Sequence, residues 1–161
     1  MDTFHELSLS DKAKIIISTF FFAGYSPIVP GTAGTAAGVL LYLLLAQYAS
    51  IWIYFAAMMI IAAVGVWASD FAEQFFGVKD PPQVVIDEVA GFMLAMLFIT
   101  PTLLHVITGF VIFRILDIIK IPPARAMERF RGGAGIVADD LVAGFYSNIL
   151  AQIIFLIIKI I

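Results

Sequence analysis

The chain of 161 residues contains no cysteine. Disulfides, thiolate metal sites and cysteine nucleophiles are therefore excluded, and thiol-based phosphatase or transferase chemistry with them. Two histidines are too few for an ordinary zinc site. Charge is scarce as well: 13% of the residues are charged against 62% hydrophobic, and the mean hydropathy of +1.05 lies far outside the range of soluble domains. The net charge of −3 gives a nucleic-acid role no support. No internal repeat or low-complexity tract is present, which weighs against a transporter built from inverted repeats. Met1 to Ser10 is acidic and polar, and no small-residue cleavage site follows the apolar stretch Ile15–Ala23. The first segment is therefore expected to be retained rather than removed as a secretory signal.

The apolar runs predict an all-α fold: a polytopic integral membrane helical bundle forming one domain over residues 1–161. A span needs roughly 17–25 apolar residues, fewer where the protein is thin or the helix re-entrant. Five spans are expected, at about Thr35–Ala49, Ile51–Ala68, Val89–Ile99, Leu103–Ile119 and Leu141–Ile161. Ile15–Ala23 precedes them as an interfacial or re-entrant segment. The third span is short unless it extends back through Asp87 and Glu88, and that extension is expected. Breaks fall at Gln47–Ser50, at the Asp-Pro-Pro of Lys79–Gln83, at Thr100–Thr102 and through the basic, glycine-rich Lys120–Gly135. Lys and Arg in short loops favour the cytoplasm. Alternating spans then place Lys12, Lys14, Lys79 and Lys120–Arg131 inside, leaving Lys159 and His105 towards the outer face.

The charges that do occur are gathered into short stations. Ionisable groups beside apolar spans cost about 2.5–3.5 kcal/mol each on insertion scales, so they usually face a polar cavity or each other. The predicted topology brings Asp70, Glu73, Asp87, Glu88, Asp117, Asp139 and Asp140 to cytoplasmic span ends. Arg114, Asp117 and Lys120 follow one another at i, i+3 and i+6 and share one side of a helix. This triplet suits a phosphate-binding Arg and Lys beside a metal-binding Asp, or else an internal ion pair at a helix end. Each of the doublets Asp87-Glu88 and Asp139-Asp140 could cap a helix N-terminus. Two doublets plus Asp117 exceed what capping requires, and crowded carboxylates repel unless a cation neutralises them. Oxygen-only ligation suits Mg2+.

Ser26–Thr35 is a rigid small-residue loop. Its amides and hydroxyls, with Thr32 the candidate phosphate contact, could face an anion; alternatively Thr32 or Thr35 caps the helix, and Gly34 with Gly38 forms a packing seam. Arg125 and Arg129, with Arg131, either attract anionic headgroups to the surface or guide a lipid phosphate towards the carboxylates. Asp70 and Glu73 read more simply as solvated.

Four blocks in order carry a resemblance: SPIVPGTAGT (Ser26–Thr35), VVIDEVAGF (Val84–Phe92), GFVIFRILDIIK (Gly109–Lys120) and GGAGIVADDLVAG (Gly132–Gly144). Together they resemble the bacterial phosphatidylglycerophosphatase A family over roughly residues 24–150. The family often has proline directly after the block's lysine, whereas Ile121 separates Lys120 from Pro122 here. The resemblance implies a magnesium-dependent lipid phosphatase of the bacterial inner membrane. Its substrate would be phosphatidylglycerol phosphate and its products phosphatidylglycerol and inorganic phosphate. The implied site comprises Asp87, Glu88, Asp117, Asp139 and Asp140, expected together to hold one or two Mg2+, with Arg114 and Lys120 on the phosphate oxygens. The alternatives are another magnesium-dependent headgroup phosphotransferase, or a cation-coupled transporter, for which polar groups would have to continue across the bilayer.

Overall fold

The structure, a computed structural model, describes residues 4–127 and 129–160, with side chains as far as Ile158; the side chain of Lys159 lies outside the described set. Among the described residues there are seven α-helices and no strand. They are α1 (Leu9–Ser18), α2 (Pro30–Tyr48), α3 (Ile51–Phe76), α4 (Ile86–Ala95), α5 (Leu103–Ile119), α6 (Ala124–Met127) and α7 (Gly133–Ile160).

Three of these, α2, α3 and α7, are long and apolar enough to cross a membrane. Of the other two expected spans, Leu103–Ile119 is matched residue for residue by α5 and Val89–Ile99 falls largely on the short α4. α5 has 17 residues and carries Arg114 and Asp117 in its last turns. α4 has ten, a rise of about 15 Å against a hydrocarbon core of about 30 Å, so the helix by itself is too short for a span, and the turn after it carries the chain on to Thr100 and Pro101 beside Ala49 and Ile51. It does begin at Ile86, with Asp87 and Glu88 in its first turn, and its burial comes from protein: eight of its ten residues are buried. An apolar run of that length describes a helix enclosed by other helices as well as it describes a span.

Local chemistry sets the ends. Ser8 caps α1 by accepting from the Asp11 amide at 3.1 Å. Ile15–Ala23 does not continue as a helix, because Phe20, Phe21 and Phe22 all take positive φ and turn the chain back. α1 then lies along α3, with Lys14 Nζ 4.6 Å from the Phe71 ring centroid. Pro30 starts α2 from the N1 position, where its missing N–H costs nothing, with Val29 as N-cap. Neither Thr32 nor Thr35 is the cap, because α2 begins five residues before the expected Thr35. Ser50 and Thr102 cap α3 and α5. α7 likewise starts at Gly133, eight residues before the expected Leu141, so Asp139 and Asp140 stand well inside the helix and cannot be its caps.

α4 is the hub, ringed by α2, α3, α7 and α5. Its closest approach is to α7, where Gly91 and Gly144 face each other: a Cβ on Gly144 would collide with the Gly91 carbonyl, and one on Gly91 would lie 2.6 Å from the Asp140 carbonyl oxygen. Phe92, Met93, Met96 and Phe113 fill the core beneath this crossing. Gly34 and Gly38 let α2 pack on Val85 and on Val89 with Phe92, the packing seam anticipated for them.

Candidate active site

The start of α4, the end of α5, the second turn of α7, the first turn of α2 and the Asp80-Pro81-Pro82 turn meet around a cavity of about 250 Å³. Asp87, Glu88, Arg114, Asp117, Lys120, Asp139 and Asp140 line it, with Pro30, Gly31 and Asp80. Seven of the ten residues anticipated from sequence are therefore brought to one place. Asp87, Asp117, Asp139 and Asp140 are all buried.

The carboxylates divide into two groups. Asp117 accepts from Arg114 at 2.7 Å, and Asp139 accepts from Lys120 at 2.7 Å. Both partners come from α5, so its i, i+3, i+6 edge supplies one cation to its own helix and one to α7. Lys120 is also 3.9 Å from Asp80. The second group is Asp87, Glu88 and Asp140, each offering an oxygen within 4.8 Å of the others. Asp87 Oδ1, Glu88 Oε2 and Asp140 Oδ2 are buried and find no hydrogen-bond partner among the described residues. Arg114 stands 3.8 Å from Glu88, too far for a hydrogen bond.

Unpaired buried carboxylate oxygens are costly, and the cost falls when a cation is shared between them. Asp87 and Glu88 belong to α4, outside the three spans. Burial, followed by the charges of Glu88 and Asp140, pushes the Asp87 carboxyl well above its ordinary range. Burial also raises Glu88, with the Asp117 charge adding to it and the Arg114 charge opposing it. Three converging oxygen donors with orphaned lone pairs and no nitrogen or sulfur ligand fit a hard divalent cation such as Mg2+.

Three anticipated contacts are not brought into the cavity. Thr32 is absent from its lining; one turn further on, Thr35 accepts from Arg114 at 3.4 Å and donates to the Gly31 carbonyl at 2.9 Å. Arg125 is exposed and donates to the Ile119 carbonyl at 3.5 Å. Arg129 lines a separate open depression with Glu73, Lys79 and Arg131. The reason is shared: loop cations reach solvent more cheaply than a buried cleft, and a helical position one residue off the facing edge is rotated by about 100°. Of the acidic pair on α3, Asp70 packs against Gly132 and Glu73 lines that depression; neither lines the cavity. His105 stands at the opposite end of α5, its Nδ1 2.9 Å from the Thr100 carbonyl.

Gly31, Thr35 and Asp80 were missed as site residues. A Cβ on Gly31 would collide with Glu88 Oε1 and come within 3.0 Å of the Arg114 guanidinium, so glycine is what lets α2 close over the site. Asp80 carried a signal, as an acid inside a Pro-Pro turn between two charged stations.

Comparison with known proteins agrees with the geometry. The family model described as Phosphatidylglycerophosphatase A matches residues 16–155. A Bacteroides thetaiotaomicron protein provisionally named phosphatidylinositol-3-phosphatase is 38% identical, covering 86% of this chain and 91% of that one. Phosphatidylglycerophosphatase A of Escherichia coli is 36% identical over 82% of this chain and 77% of its own. Its namesake from Haemophilus influenzae is 28% identical over 83% of each. No solved structure matches.

Proposed function

Because the chain belongs to the phosphatidylglycerophosphatase A family, and so to a class of lipid phosphatases, we propose that it hydrolyses the terminal phosphomonoester of phosphatidylglycerol phosphate, with Mg2+, at the cytoplasmic face of a bacterial inner membrane. The observation that carries this is the cluster of Asp87, Glu88 and Asp140, whose unpartnered buried oxygens lie beside the Arg114 guanidinium. Those three residues would hold the metal, which when bound supplies charge neutralisation of the phosphate and a lowered pKa for the attacking water.

The remaining steps belong to the chain itself. Arg114 presents a planar guanidinium at the cavity wall, suited to two phosphate oxygens at once, and Thr35 and Asp117 hold it in place. Lys120 adds a point charge from the next turn. Asp117 and Asp139 keep both cations anchored in the cavity when no phosphate is present. A carboxylate of the cluster with a free oxygen takes the proton of the attacking water, a P–O bond forms to that water as the P–O bond to glycerol breaks, and the departing glycerol oxygen takes up the proton, leaving the carboxylate ionised again. The head group needs to reach only the end of the bundle, and the acyl chains stay in the bilayer. The end that carries the cavity also carries Lys79, Lys120, Arg125, Arg129 and Arg131, which supports a cytoplasmic orientation.

Release of inorganic phosphate from phosphatidylglycerol phosphate in mixed micelles tests the reading. Purified protein is expected to turn over with Mg2+, to stop with chelator, and to lose activity by about a hundredfold or more in Asp140→Ala. Release that persists undiminished in chelator would overturn the metal mechanism. The name of the Bacteroides relative favours a second lipid phosphomonoester, phosphatidylinositol 3-phosphate. Its hydrolysis at higher kcat/KM than phosphatidylglycerol phosphate would replace the substrate and keep the chemistry.

A further inference from the structure

The cavity has charged walls but its substrate is a lipid, so its tails need an apolar way past the protein. Four seams surround α4, and three are closed at the cavity end. Between α3 and α7, Gly133 packs directly on the Val66 carbonyl and Val137 on Gly65. Between α5 and α7, Lys120 bridges to Asp139. Between α2 and α3, the chain before α4 forms a plug: Val85 lies on Gly34, its amide donates to the Ser18 carbonyl at 2.9 Å, and Val84 packs with Ile15 and Ala72.

The fourth seam, between α2 and α5, is different. Among the described residues the hydrogen bond that crosses it is Arg114 to Thr35, and both Arg114 and the adjoining Gly31 are cavity walls. Beside that bond the exposed surface is apolar: Ala36 follows Thr35 on α2, and Val111 and Ile118 stand three and four residues from Arg114 on the same side of α5, Ile118 being 70% exposed. Polar cavity and apolar surface thus adjoin beside the Arg114–Thr35 bridge.

Resting on the hydrolysis reading above, we propose that the lipid reaches the cavity sideways through the α2–α5 seam, its headgroup passing Arg114 while its acyl chains lie against Ala36, Val111 and Ile118. The chains then never leave an apolar environment, and the guanidinium that gates the seam is the group that meets the phosphate.

Ala36→Trp and Ile118→Trp would obstruct the seam without touching the cavity lining. Each is expected to lower kcat/KM for long-chain phosphatidylglycerol phosphate in bilayers by about tenfold or more, while hydrolysis of the deacylated, water-soluble headgroup changes less than about twofold. Ile60→Trp on α3 and Phe145→Trp on α7, at other exposed positions, should leave both substrates at the wild-type rate. An unchanged lipid rate in the seam variants, equal loss on both substrates, or equal loss in the controls would overturn the proposal. A readout free of turnover uses benzoylphenylalanine at position 36, 118 or 60 in phosphatidylcholine vesicles carrying phosphatidylglycerol phosphate. Crosslinks enriched in the phosphomonoester lipid at 36 and 118, and not at 60, are expected; no enrichment overturns the seam. Should the wild type release phosphate from neither substrate, the proposed function falls, and the crosslinks still decide for or against the seam.

Discussion

Lys120 and Asp139 show how a charged pair on different helices acts inside an apolar bundle. The Asp139 side chain is 5% exposed, so its charge is tolerable only while Lys120 stays at 2.7 Å. Lys120→Met should destabilise the protein by about 3–5 kcal/mol, because a lone buried carboxylate remains. Lys120→Met combined with Asp139→Leu should regain most of that in thermal denaturation and none of the phosphate release. Gly31→Ala should cut activity by about tenfold or more while unfolding stays cooperative, since the added methyl displaces Glu88 and Arg114 rather than core packing. Chelation offers a check without turnover: Mg2+ should raise the melting temperature of the wild type and leave that of Asp140→Ala unchanged. At this scale the acidic residues were legible because an apolar chain cannot hide a charge. Gly31 and Thr35 were not, because the role of a small neutral residue depends on what faces it across the fold.

α4 departs furthest from expectation among the elements. Its last carbonyls and those of the following turn end inside the bundle, where no water is at hand and four acceptors lack intrahelical partners. Side chains from three helices supply donors: Tyr54 to the Met93 carbonyl at 2.6 Å, Asn148 to those of Ala95 and Leu97 at 3.0 and 2.7 Å, and Tyr42 to that of Ile99 at 2.6 Å. Tyr54→Phe should therefore cost about 1–3 kcal/mol, the penalty of an orphaned buried acceptor, measured as a lowered melting temperature in detergent. Nothing in Val89–Ile99 itself distinguishes a span from a helix held this way. The distinguishing residues are Tyr42, Tyr54 and Asn148, from 39 to 57 positions away in sequence.

For the whole molecule, Lys79, Lys120, Arg129 and Arg131 share one end of the bundle with the candidate cavity, with Tyr48 and Ser50 in the turn at the other. A chain without native cysteine is a clean background for labelling. Val78→Cys, at an exposed position, should react with a membrane-impermeant thiol reagent only when the cytoplasmic side is opened. Tyr48→Cys should react in intact spheroplasts. The reverse pattern would invert the orientation.

Composition and charge spacing by themselves determined that the chain is helical and apolar enough for a membrane, and which seven acidic and basic residues the fold gathers around one cavity. The physical reason is one-dimensional: long apolar runs require lipid or a core, and rare charges among them require one another. Tertiary structure alone decided that the expected third span is a ten-residue helix enclosed by the others, that Thr35 and not Thr32 meets Arg114, and that Asp117 and Asp139 pair with Arg114 and Lys120 while Asp87, Glu88 and Asp140 keep oxygens open. Each of those outcomes depends on which face of one helix meets which face of another. That is set by the glycine crossings at Gly34, Gly91, Gly133 and Gly144, contacts whose partners lie far apart along the chain.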